Sequence, residues 1–205
     1  MGTMGSGKTT AARLIARELG FGLMEENFGE NAFLPRFYQD MKRWAFHSQT
    51  FFLMEKITQM LETPKLLVNG SVVQDTPIEQ DAFSYAKAQN VLGNIDDAEW
   101  RLYQKIYKSF EPYFPKPDCI VYLETSLSAI MDRIEKRGRG YERQIPQSYV
   151  ELLDMLNHKW LADNQSARGG KTIPVLVVDT DGLNIVNSKK AQEDLVAAVR
   201  KKLSL

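Results

Sequence analysis

The stretch Gly2-Thr3-Met4-Gly5-Ser6-Gly7-Lys8-Thr9 runs directly into Thr10-Ala11-Ala12-Arg13-Leu14-Ile15-Ala16-Arg17-Glu18-Leu19 and stops at Gly20. It matches the pattern G-x-x-x-x-G-K-[ST] at every fixed position. A backbone that wraps a phosphate with successive N–H groups turned inward needs angles that a Cβ obstructs, and Gly2, Gly5 and Gly7 supply that freedom. The helix behind the loop adds partial positive charge, Lys8 is placed to reach the β- and γ-phosphates, and the Thr9 hydroxyl can ligate Mg²⁺. Residues Gly2, Thr3, Met4, Gly5, Ser6, Gly7, Lys8, Thr9 and Thr10 therefore read as a site for an ATP-type triphosphate. The plainer alternative is a glycine-rich turn capping an ordinary helix, and Gly-Lys-Thr at the helix opening argues against it.

A P-loop ordinarily follows a buried strand, yet only Met1 precedes Gly2. The launching strand is expected upstream. The chain as written is expected to be unstable or inactive, since losing a central strand exposes two edges and leaves a gap in the core.

A length of 205 residues suits one domain, 1–205, with enough chain to bury a real core. Its 26 basic and 26 acidic residues cancel, which gives no reason to expect nucleic acid or an anionic membrane as the main partner. The single Cys119 lies in the apolar run Cys119-Ile120-Val121-Tyr122-Leu123 and is expected to be a buried small hydrophobe. One cysteine permits no internal disulfide, which fits a reducing, cytoplasmic location. No apolar run approaches membrane-spanning length.

Beyond the loop, strand and helix signals alternate. Phe21 to Glu26 reads as a short strand ending in two carboxylates, and the segment from about Phe37 to Leu61 as one long helix. Ser71 to Asp75 reads as a strand, followed by helices over Ile78 to Val91 and Asp97 to Phe110. Asp118 to Leu123 is β-branched and aromatic, Ser126 caps a helix to about Lys136, and Pro146 opens another to about Asn164. Pro174 to Asp179 reads as the last strand and Lys189 to Leu203 as the last helix. Such alternation means an α/β fold with a mostly parallel sheet, whose ligands sit at the carboxyl ends of the strands. Glu26, Asp75 and the P-loop all fall there, so they should share one cleft.

Phosphoryl transfer needs a phosphate cradle, a metal, a way to activate the nucleophile, and cations around the transferring group. Glu26 and Asp75 are candidates for base and metal ligand, with Thr9 as the second metal-ligating residue. Arg133, Arg137, Arg139 and Arg143, interleaved with Gly138 and Gly140, have the composition of a lid over about 137–145 that closes on phosphates.

With these parts assembled, the chain resembles the deoxyribonucleoside kinases over nearly its whole length. Leu23-Met24-Glu25-Glu26 with Asn31, Phe37-Tyr38, and Lys42-Arg43-Trp44-Ala45-Phe46-His47-Ser48-Gln49 are similar to the family's base- and sugar-binding stretches. Asp75 to Asp81 resembles its strand-three motif, and Arg133-Ile134-Glu135-Lys136-Arg137-Gly138-Arg139 its lid. The resemblance implies a three-layer P-loop kinase fold around a five-stranded parallel sheet of order 2-3-1-4-5, here without strand 1. It implies that Glu26 takes the proton from the sugar 5′-hydroxyl and that Tyr38 and Glu142 hold the 3′-hydroxyl. Gln49 would pair with the base edge, Lys56 and Asp81 would lie near it, and Arg137 and Arg139 would clamp the donor phosphates with Lys8. ATP and Mg²⁺ as cofactors, a purine deoxynucleoside or deoxycytidine as acceptor, and a homodimer also follow from the resemblance.

The sequence departs from the family pattern at Asp75-Thr76-Pro77, where an arginine and a serine usually follow the acidic residue. Two other readings stay open here. One is a nucleoside monophosphate kinase of the thymidylate kinase type, against which Glu26 and the neutral Thr76 argue. The other is a nucleotide-binding protein without turnover. Glu25 should point away along its strand, and His47 is expected in packing or at the surface.

Overall fold

A computed structural model describes residues 1–26, 28–140, 145–166 and 172–205. Helix α1 (Lys8–Leu19) begins at Gly7 and ends at Gly20, both left-handed with φ of 97° and 70°. Its Ala11, Ala12, Leu14, Ile15 and Ala16 are buried, so the helix behind the phosphate loop is fixed by packing as well as by its caps. Strand β1 (Gly22–Met24) pairs in parallel with β2 (Val72–Gln74), Leu23 opposite Val73. Strand β3 (Ile120–Glu124) pairs in parallel with β4 (Val175–Asp179), Tyr122 opposite Val177.

These pairs are the outer two of the expected five-strand order, and no strand joins them among the described residues. Met1 alone continues the sheet. Its nitrogen donates to the Val121 carbonyl at 2.8 Å, and the Leu123 N–H donates to the Met1 carbonyl at 2.9 Å, which is a parallel ladder centred on Tyr122. Between the two pairs lies a cavity of about 450 Å³ lined by Ala12, Met24, Val73 and Val121 among others. Each pair is parallel, and Glu26, Thr76 and Thr180, which follow β1, β2 and β4, line one cavity.

Around this sheet are α2 (Leu34–Gln39), α3 (Met41–Leu67), α4 (Ile78–Gln80), α5 (Lys87–Val91), α6 (Asp97–Phe110), α7 (Leu127–Arg137), α8 (Gln147–Gln165) and α9 (Lys189–Leu203). The single helix expected from about Phe37 to Leu61 is two helices. Asp40 breaks it with φ −147° and ψ 85°, and its side chain accepts from the Arg43 N–H at 3.1 Å to cap α3. An aspartate competes for backbone donors better than it continues a helix, and periodicity alone passes over it. The helix expected over Ile78 to Val91 is present but contains a π-helical turn, Asp81–Ala86, between α4 and α5. Cys119 is half-buried rather than buried, and that burial raises its thiol pKa.

Separate apolar clusters pack the sheet and the phosphate loop against the helices. Ala11, Leu14 and Ile15 of α1 meet Leu195, Val196 and Val199 of α9 on one side. On the other, Met4 of the phosphate loop packs with Ile130 and Ile134 of α7 and with Tyr149, Val150 and Leu153 of α8. The loop is thus seated on the core. No helix among the described residues is long and apolar enough to cross a membrane.

Candidate active site

At the carboxyl edge of the strands opens a cavity of about 1080 Å³. Met4 to Thr10 form one wall, Glu26, Tyr38, Gln49, Asp81 and Tyr85 a second, and Arg133, Arg137 and Arg139 with 180–187 a third. Of the three expected to share one cleft, Glu26 and the P-loop line this cavity and Asp75 does not.

Each wall has a local cause. The loop turns through Gly2, Gly5 and Gly7, all at positive φ, and a Cβ on Gly2 would lie 2.7 Å from the Leu123 carbonyl oxygen. Lys8 folds over the loop, its ammonium donating to the Gly2 carbonyl at 2.8 Å and to the Thr3 carbonyl at 3.2 Å. Burial pulls the Lys8 pKa down, while Asp75 and Glu26 oppose the shift. Thr9 donates to Asp75 Oδ2 at 2.6 Å, and Asp75 Oδ1 is buried with no hydrogen-bond partner. A hydroxyl and a carboxylate held together, with one carboxylate oxygen unclaimed, form an oxygen donor set suited to Mg²⁺.

Glu26 stands just beyond β1 with its side chain 9% exposed. Burial raises its pKa above the ordinary carboxylate value, while Lys56 and then Lys8 pull it back. Lys56, 1% exposed, lies 3.8 Å from Glu26 and donates to the Asp75 carbonyl at 2.8 Å. Gln49 and Lys56 occupy the buried side of α3 two turns apart, and Tyr38 reaches the cavity from α2. The π turn places Asp81 and Tyr85 on the same wall. Burial first, and the nearby Glu26 second, push the Asp81 pKa well above the usual range, and its Oδ2 has no partner. Asn31 pins the segment after β1 to α3 by donating to the Ser48 carbonyl at 3.3 Å.

Some expected residues sit elsewhere. Gly2, Thr3, Lys56 and Asp75 lie behind the cavity wall, acting through Lys8, Thr9 and Glu26. Arg133 reaches the cavity but is engaged in bracing. It donates to the Ser6 carbonyl at 3.3 Å and to the Thr180 carbonyl at 2.6 Å, tying the P-loop to the segment after β4. Glu142 and Arg143 lie outside the described residues. Glu25, expected to point away, instead pairs with Arg13 on the wall of the same cavity as Glu26, and exposed His47 packs against Phe33 and Trp44.

Residues that sequence reasoning passed over hold the loop. Gln80, fully buried, accepts from the Gly2 N–H at 3.0 Å and donates to the Gly2 carbonyl at 2.6 Å. Thr3 donates to Asp154 at 2.9 Å and accepts from Asn157 at 3.2 Å, both on α8. Such partners lie 78 to 154 residues away along the chain, beyond any local pattern. A faint signal was the polarity of Gln80, Asp154 and Asn157 inside otherwise apolar helical faces.

A parallel sheet with a P-loop at its carboxyl edge, a buried carboxylate across the cavity and arginines above it define a phosphotransferase of the P-loop kinase class. The deoxynucleoside kinase family model matches residues 1–204, and the chain belongs to that family of enzymes. Among its relatives is a deoxyadenosine/deoxycytidine kinase of Bacillus subtilis (strain 168), 32% identical over 95% of this chain and 87% of the relative. A deoxyguanosine kinase of the same strain is 31% identical over 97% of this chain and 93% of the relative. The structure of deoxyadenosine kinase from M. mycoides, with products dCMP and a flexible dCDP bound, superposes with a TM-score of 0.83. It is 25% identical and covers all of this chain and 96% of that one. These likenesses favour a nucleoside acceptor over the thymidylate-type alternative and over a protein without turnover.

Proposed function

We propose that this chain transfers the γ-phosphoryl group of ATP to the 5′-hydroxyl of a deoxyribonucleoside, with a purine deoxynucleoside or deoxycytidine as acceptor. The observation that carries this reading is Glu26, a buried carboxylate facing the P-loop across one cavity. A nucleoside hydroxyl is a poor nucleophile until its proton is taken, whereas a phosphate acceptor is already ionised.

In this mechanism the loop N–H groups and Lys8 hold the donor phosphates. Mg²⁺, held by Thr9 and Asp75, would neutralise charge on the phosphates during transfer. Arg137 and Arg139, on the cavity wall, stabilise the charge that develops on the transferring group. Tyr38 and Glu142 hold the sugar 3′-hydroxyl, and Gln49 faces the base edge with Asp81 on the same wall and Lys56 behind it. Glu26 receives the 5′-hydroxyl proton as the oxygen attacks phosphorus in line with the departing ADP. The named relatives act on adenine, cytosine and guanine deoxynucleosides, which supports the acceptor class.

We place the enzyme in the cytoplasm and read it as a homodimer. The exposed apolar side chains Met54 and Leu61 of α3 and Leu102 of α6 support self-association.

The test is ADP release from ATP and Mg²⁺ against deoxyadenosine, deoxyguanosine, deoxycytidine, thymidine and thymidine monophosphate, with Glu26→Gln as control. Turnover with a purine deoxynucleoside or deoxycytidine, reduced about 10²–10⁴-fold in Glu26→Gln, is the expected result. Turnover confined to thymidine monophosphate, or full activity in the variant, refutes the reading.

A further inference from the structure

We infer that Lys56 is the positioning residue of Glu26, supplying from α3 the cation that the end of β2 lacks. The inference rests on the proposed role of Glu26 as base.

Glu26 and Asp75 follow neighbouring parallel strands, so their backbones arrive side by side at the cavity edge. Lys56 reaches both from α3. One of its three ammonium protons is committed to the Asp75 carbonyl at 2.8 Å, which fixes the nitrogen relative to β2. The Glu26 carboxylate oxygen then stands 3.8 Å away, at ion-pair rather than hydrogen-bond distance. A base held this way keeps a nearby positive charge at a distance that leaves room for an acceptor hydroxyl to approach its carboxylate.

Lys8, which also acts on Glu26, and Arg13 each have hydrogen-bond partners of their own. Lys8 donates to two loop carbonyls, and Arg13 pairs with Glu25. At the end of β2, Thr76 is neutral, although it lines the same cavity as Glu26. Thr76 also adopts a φ of 62°, where a β-branched residue is strained, so an unbranched side chain is no worse suited to its backbone. Meanwhile Asp75 adds negative charge beside Glu26, which raises the need for a fixed cation. Lys56 itself is behind the cavity wall, so it touches Glu26 rather than the space an acceptor would fill.

The alternative is the role the resemblance implies, in which Lys56 reads the base edge. The two roles predict different kinetics. Lys56→Met, an apolar replacement of similar length, is measured beside Lys56→Arg, the double variant Lys56→Met/Thr76→Arg, and Glu26→Gln with and without Lys56→Met. Binding of a fluorescent ATP analogue confirms folding, and Lys56→Gln replaces Lys56→Met should the latter not fold.

If Lys56 acts through Glu26, Lys56→Met lowers kcat about 10–100-fold for every deoxynucleoside, with KM within about threefold. Lys56→Arg or the Thr76→Arg double recovers most of the loss. In the Glu26→Gln background the second substitution costs less than about threefold, because the group it served is gone. Unchanged kcat in Lys56→Met overturns the inference. So does a loss that falls mainly on KM and reorders the deoxynucleosides, or a loss that neither arginine variant restores. Full activity in Glu26→Gln would instead overturn the parent reading of the base.

Discussion

Replacing Gln80 by leucine should loosen the P-loop from a position that never touches the nucleotide. The Gln80 amide is fully buried and bonds both polar groups of Gly2, accepting at 3.0 Å and donating at 2.6 Å. Leucine fills a similar volume, so the cost is polar rather than a cavity. The Gly2 carbonyl keeps its bond from Lys8 at 2.8 Å and loses only a second partner, at about 0.5–1.5 kcal/mol. The Gly2 N–H gains no replacement. Gly2 is buried, so that donor is left dry at about 1–3 kcal/mol. The two terms sum to about 1.5–4.5 kcal/mol, which at about 2–4 °C per kcal/mol for a chain of this size lowers the melting temperature by about 3–18 °C. Because the freed groups begin the phosphate loop, KM for ATP should rise while KM for the acceptor holds. Differential scanning fluorimetry and steady-state kinetics on the purified variant read both quantities. A melting temperature within about 1 °C of the parent with unchanged KM for ATP would show that the clamp contributes nothing and refute the argument.

Alanine at the three loop glycines should rank by what the added Cβ meets. At Gly2 it meets the Leu123 carbonyl and Ser6 Oγ at 2.7 Å and forces backbone movement; at Gly5 its contacts to Ile130 and Ile134 are 3.2 Å; at Gly7 nothing lies within 4 Å. ATP affinity should therefore fall most for Gly2→Ala and least for Gly7→Ala, whose cost is the left-handed φ alone, about 1–2 kcal/mol; isothermal titration with ATP that reverses this order would contradict it. The pH profile of kcat/KM should show an acid limb above the ordinary carboxylate value of 4.5, because burial raises the Glu26 pKa more than Lys56 and Lys8 lower it. Activity needs the ionised form, so rate is lost as pH falls through that raised value, and the limb should vanish from the residual activity of Glu26→Gln.

The parts of this molecule that were legible in its sequence are those whose cause is local. Gly7-Lys8-Thr9 fixes the start of α1 because a left-handed glycine and a helix opening are one backbone event. Ser126 announces α7 by accepting from the Ala129 N–H three residues on, and Lys189 to Leu203 could be bounded from its own pattern. Asp40 was equally local, but a periodic run of apolar residues on both sides masked its cap. The sheet order was legible only by resemblance, since nothing in Val72-Val73-Gln74 specifies Gly22 to Met24 as its partner.

The site shows the same division with a sharper edge. Residue types bound to chemistry were found: a lysine in a glycine loop, a carboxylate at a strand end, arginines after a helix. What those residues lean on was not found, because support is made between elements. Lys56 illustrates why. A lysine seven residues after Gln49 on a helix invites the same role as Gln49, since both occupy one face. In the fold the two diverge: the Gln49 side chain lines the cavity while the longer Lys56 chain runs behind it to the ends of β1 and β2. Helical spacing fixes the direction in which a side chain leaves its helix, but not where a four-carbon stem finishes. That end point depends on how far the sheet edge stands from α3, and therefore on packing summed over the whole core. Residues with long, flexible stems are for that reason where a role carried over from a family motif is most exposed to error, and where measuring the role repays the effort most.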